Sequence, residues 1–124
     1  MTKIFNGTPH AINIIDNGTF DASIRKHVTD APNVVVSLPS NGVLNARTTT
    51  VEIDGINGIP VFGKSFTGVD ALPDGYDVYI VSAMYASAAR ATGQNTSKLF
   101  TVADPVYSID GKTIHGCKGI CPFI

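Results

Sequence analysis

The chain has 124 residues, 44% of them hydrophobic and only 15% charged, with a formal net charge of −1. That length suits one domain spanning 1–124, able to bury a core without staples, and the composition is too apolar for a disordered chain. No basic run offers a grip on nucleic acid, so no direct nucleic-acid binding is expected. No apolar run is long enough to cross a bilayer, and "MTKIFNGTPH" lacks the apolar core of a signal peptide. A cytoplasmic protein with no membrane association is the default expectation.

In chain order, "KIFNGTPHAINIID" reads as a strand interrupted at Pro9, and the Asn17-Gly18 pair after it signals a hairpin turn. "TFDASIRKHV" would return antiparallel to it, with Arg25, Lys26 and His27 on a solvated face. "NVVVSLP" is a short apolar strand, turned by "SNG". "TTTVEIDGINGIPVFGKSF" is rich in β-branched residues, and Gly55 and Gly58 mark a hairpin or bulge within it.

"DVYIVS" is the most apolar strand and suits a sheet interior covered on both faces. "SAMYASAARATG" follows as the one convincing helix, over about residues 83–92. Ser82 is its N-cap, Gly93 its left-handed stop, and Arg90 a cation placed to complement the dipole. "LFTVADPVYSIDGKTIHG" closes the chain as two strands about Asp110-Gly111. Phe62, Phe66, Tyr79 and Tyr85 are expected in the core. The sum is an α+β fold: a mostly antiparallel sheet of about six to eight short strands with one principal helix.

Four stretches carry chemistry. The strand-to-helix junction at Ser82 and Ala83 offers backbone amides and a positive dipole end to an anion, but capping alone also accounts for the serine. Neither a glycine-rich phosphate loop nor a GxSxG elbow is present. At Thr8-Pro9-His10 the break in the strand would turn Thr8 and His10 toward whatever lies beside the sheet. There His10 could donate to a phosphate, act as a general base, or simply be satisfied by local backbone. Asp104, before Pro105, could start a turn or accept from a ribose hydroxyl. His115, Cys117 and Cys121 could form a three-ligand metal cluster; a reduced, partly buried tail is preferred, because CxxxC without a second ligand pair is not a zinc pattern. No metal and no cofactor are expected.

The ordered phrases "FNGTPHAINI", "LPSNGVLNAR", "NGIPVFGKSFTGVDALPDGYDVYIVSAMYASAA" and "ADPVYSIDGKTIHG" resemble a family of small, largely uncharacterised proteins of tailed bacteriophages and prophages. The likeness covers nearly the whole chain. It departs at Gly63-Lys64, where members often carry an arginine after GIPV. It departs again at Ser97-Lys98-Leu99, where they have Arg-x-Asp-Leu, and in the "CKGICPFI" tail. The resemblance implies a phage accessory setting rather than a reaction.

The leading expectation is a noncatalytic binder of a small anionic, nucleotide-like host molecule, such as a defence signal. Thr8, His10, Ser82, Ala83 and Asp104 would converge on that ligand. A nucleotide-modifying enzyme with His10 as base and Asp104 as its partner is the alternative, as is a direct protein inhibitor of a host factor. A homo-oligomer is expected on the ground that a small domain gains burial and enclosed sites by assembling.

Overall fold

A computed structural model describes residues 1–124. Ten strands and one helix follow the order β1 (Ile4–Asn6), β2 (Ile12–Ile15), β3 (Thr19–Asp21), β4 (Lys26–Val28), β5 (Val34–Leu38), β6 (Ala46–Ile56), β7 (Ile59–Val69), β8 (Val78–Ile80), α1 (Ala83–Ala91), β9 (Leu99–Tyr107) and β10 (Ile114–Pro122). Eight strands form one sheet with the path β1-β8-β9-β10-β2-β5, to which the β3–β4 hairpin is joined through β9. β6 and β7 form a second, two-stranded sheet.

The mostly β, one-helix α+β class holds, but the sheet is not mostly antiparallel and the strands number more than eight. Half of the eight pairings are parallel: β1 with β8, β8 with β9, β4 with β9 and β10 with β2. Turn chemistry signals only pairings between consecutive strands, whereas β1 and β8 meet across some seventy intervening residues. β8–α1–β9 is a single βαβ unit: parallel neighbours joined through a helix, which a parallel pair needs for its crossover.

Two of the four Asn-Gly pairs behave differently from each other. At Asn57-Gly58 both residues take positive φ, 50° and 79°, and β6 and β7 close directly into a hairpin. At Asn17-Gly18 no tight turn forms, and β2 and β3 do not pair. The edges of β2 are already taken by β10 and β5, and the Asn17 side chain ties instead to Ala31 O and the Asn33 amide.

Alternation along β1, β8 and β9 builds the core in two layers. Phe5, Tyr79, Val81 and Leu99 face α1, whose buried side carries Tyr85, Ala86 and Ala89. Ile4, Val78, Ile80 and Phe100 point the other way and meet Ile12, Leu38, Cys117 and Ile120 inside the curl of the sheet. The small alanines of α1 allow that close approach, and Ser82 Oγ accepts from the Tyr85 amide at 3.1 Å to cap the helix.

The sheet nearly closes on itself. Asn6, at the end of β1, donates from its backbone N–H to Asn41 Oδ1, and its C=O accepts from the Asn41 amide. Its Nδ2 donates to Leu38 O, which ends β5. The two ends of the strand path therefore meet at one buried asparagine. Of the four aromatics expected inside, Tyr79 and Tyr85 are buried, but Phe62 is 59% exposed and Phe66 only half-buried. Both lie on β7, whose Val69 end packs against the core while the rest extends from the body. No helix is long and apolar enough to cross a membrane.

Candidate functional site

Gly7 to Ala11 is the crossing from β1 to β2, two strands that do not pair with each other. Pro9 thus lies in a connection between two strands rather than in a bulge within one. Asn6 organises it. Asn6 Oδ1 accepts from the Thr8 amide at 3.0 Å and the Thr8 hydroxyl at 2.6 Å, while Nδ2 donates to His10 O at 3.0 Å. Proline, having no N–H, suits a position where the ladder has ended. The Thr8 hydroxyl serves the crossing, and the His10 imidazole is exposed.

Thr8 and His10 line a groove of about 270 Å³ at the open mouth of the curled sheet, floored by Ile12, Val102, Pro105 and Cys117. Burial pushes the Cys117 thiol above its ordinary pKa, so the thiol faces this groove as a neutral, apolar group. Pro105 also borders a second groove of about 300 Å³, bounded by Phe20, Arg25, Lys26, His27, Asp104 and Tyr107. The two depressions adjoin at that proline.

The second groove was not legible in the sequence as a site, except for Asp104. Its rings are arranged by strand pairing: β3 sets Phe20 opposite His27, centroids 5.2 Å apart. β4 lies along β9, so Lys26 Nζ sits 4.3 Å from the Tyr107 ring centroid while donating to Gly111 O. Arg25 and Asp104 are both exposed, and both hold left-handed backbone, at φ 55° and 54°. The molecule's one ion pair is Arg47–Asp70, elsewhere, so Arg25 and Asp104 carry unpaired charges.

The five residues expected to converge do not share one cavity. Thr8 and His10 line the mouth groove, Asp104 the neighbouring one, and Ser82 and Ala83 line neither. The bond from the Gly7 amide to Ile80 O brings the crossing within two residues of Ser82, whose hydroxyl oxygen is occupied as the helix cap. No hydrogen bond joins His10 to Asp104, so the geometry shows no oriented base.

His115, Cys117 and Cys121 do not gather into a metal cluster. β10 is extended there, and four residues of strand put the two sulfurs on the order of 13 Å apart along the chain. Cys117 is buried and Cys121 exposed, both as free thiols.

The largest cavity, about 400 Å³, lies between Leu72, Tyr85 and Leu99 beside α1. Its only charged residue is Asp70, whose carboxylate is engaged by Arg47 and the Asn45 amide. That leaves no cation for an anionic ligand.

Comparison with known protein families, characterised proteins and solved structures finds no match to this chain.

Proposed function

We propose that the protein binds, without transforming it, a small anionic molecule carrying an aromatic ring, with the Arg25–Asp104 groove as the principal seat. One observation carries this reading. Three non-glycine residues have positive φ: Asn57 and Arg25 lie in hairpin turns and Asp104 within β9, and Arg25 and Asp104 border the same groove with unpaired charges. Left-handed backbone at such residues costs on the order of 1 kcal/mol or more each, and such strain concentrates where side chains are aimed at a ligand.

The chemistry of the walls fits a nucleotide-like compound. Phe20 and His27 offer ring faces to a base, Arg25 a planar fork to a phosphate, and Asp104 an acceptor to a sugar hydroxyl. The mouth groove, with His10 at its rim, extends the surface beyond Pro105 for a larger ligand. Without an oriented base, a sequestering role of the kind implied by the phage resemblance suits this arrangement better than turnover.

Titration with ADP, followed by calorimetry, tests the reading. The wild-type protein should bind, Arg25→Ala should weaken binding about tenfold or more, and the nucleotide released by heat should be chemically intact by mass spectrometry. No detectable binding by wild type, equal binding by Arg25→Ala, or a converted product would each defeat the proposal.

A further inference from the structure

The β6–β7 hairpin is the least accounted-for part of the molecule. Its strands are 11 residues each, roughly 37 Å long. Every residue from Arg47 to Ile56 is exposed, and Val51, Ile53, Ile56, Ile59 and Phe62 are all more than half exposed. Isolated two-stranded ribbons are marginal in water, so a long one with exposed aliphatic residues calls for a covering surface.

Total surface area supports the same conclusion. A compact monomer of 13.0 kDa exposes roughly 6,300 Å². This chain exposes 7908 Å², a surplus of roughly 1,500 Å². One partner contributes about 800 Å² to a standard interface, so the surplus is ample for one.

The register says which face is to be covered. Directly paired residues share a face, and Thr49–Ser65, Val51–Gly63 and Ile53–Val61 make one that carries no charge. Thr48–Phe66, Thr50–Lys64 and Glu52–Phe62 make the other, which holds both signs of charge. Gly63 leaves a depression opposite Val51: a Cβ built there would meet nothing nearer than Val51 O at 3.9 Å.

We infer that the β6–β7 hairpin is an assembly arm whose charge-free face packs against the same face of a second copy of this chain. A neutral face bearing both a knob, Val51, and a hole, Gly63, is complementary to itself about a two-fold axis, where residue i meets j and j meets i. A partner of opposite charge would call for a charged face instead. Ribbon faces about 37 Å by 10 Å bury roughly 700 Å² between them, and twisted ribbons wrap to bury more. That is below the roughly 1,200 Å² at which standard interfaces begin, so the association is weak and depends on concentration.

Sedimentation equilibrium of the full chain from about 10 to 200 µM tests this. Wild type should be a monomer–dimer mixture shifting with concentration. Gly63→Lys, which fills the depression without a backbone clash, and Ile53→Lys should each weaken dimerisation at least about tenfold with an unchanged circular dichroism spectrum. Lys64→Ala, on the opposite face, should leave it intact. A wild type that is monomeric throughout, with or without a foreign partner on the arm, overturns the inference. So does dimerisation unaffected by both charge-free-face variants, or equally lost in Lys64→Ala.

Discussion

Two irregular, polar stretches of this molecule make an instructive pair: the crossing around Asn6 and the groove around Arg25 and Asp104. Both place polar side chains where regular strand geometry breaks, at the end of β1 in one case and at a turn and a left-handed point within β9 in the other. At the crossing, the polar atoms of Asn6 are consumed by the fold, and its side chain is 1% exposed. At the groove, two charged side chains sit on strained backbone and the fold takes nothing from their charges. A polar residue whose hydrogen bonds are all used holds the chain in place; one left unpaired at a conformational cost is available to something outside the chain.

The sharpest way to break this contrast is to remove Asn6. Asn6→Ala strips partners from Thr8, His10 O and Leu38 O at the point where β1 and β5 meet. Leaving several buried groups unsatisfied costs about 3 kcal/mol or more, equivalent to a fall in Tm of about 10 °C or more. Differential scanning calorimetry reads this directly. A loss under about 1 kcal/mol would mean that water replaces the side chain and that the crossing is not held as described.

Ser82 sits between the two cases and sharpens the line. It belongs to the expected site, yet its oxygen accepts from the Tyr85 amide. Ser82→Ala should cost about 1 kcal/mol of stability, as helix caps do, and leave affinity for ADP unchanged. A drop in affinity without a matching drop in stability would return the helix terminus to the binding surface.

How much of this was legible beforehand follows the range of the signals. The helix, its serine cap, the hairpin or bulge marked by Gly55 and Gly58, and the Asp110-Gly111 turn are encoded within a few residues, and the structure shows each of them. Parallel pairings have no local signature, so the path β1-β8-β9 could not be read from turns. Asn6 was overlooked for the same reason: its partners at Leu38 and Asn41 lie more than thirty residues away.

In the candidate site, Asp104 was named but its neighbours were not. Arg25, Lys26 and His27 look like a solvated run because hairpin residues usually are. Only the parallel contact between β4 and β9, His27 against Val106 and Val28 against Tyr107, brings them beside Asp104. A phenylalanine five residues before a basic triplet was the one trace of that groove in the sequence.

The smallest expected effect carries the opposite sign. Arg25 is long, carries a Cβ and holds φ 55°, a conformation glycine adopts without steric cost. Arg25→Gly should relieve that strain, offset in part by the greater freedom of glycine in the unfolded chain, for a net gain of about 0.5 kcal/mol. The same change removes the only unpaired guanidinium in the groove, so affinity for ADP should fall as stability rises. Chemical denaturation alongside calorimetric titration measures both quantities on one variant. A position that exists to hold the β3–β4 turn would lose stability on substitution, whereas one kept strained for a ligand loses only binding. If Arg25→Gly unfolds at lower denaturant than wild type, the left-handed backbone serves the turn, and the contrast between the crossing and the groove collapses.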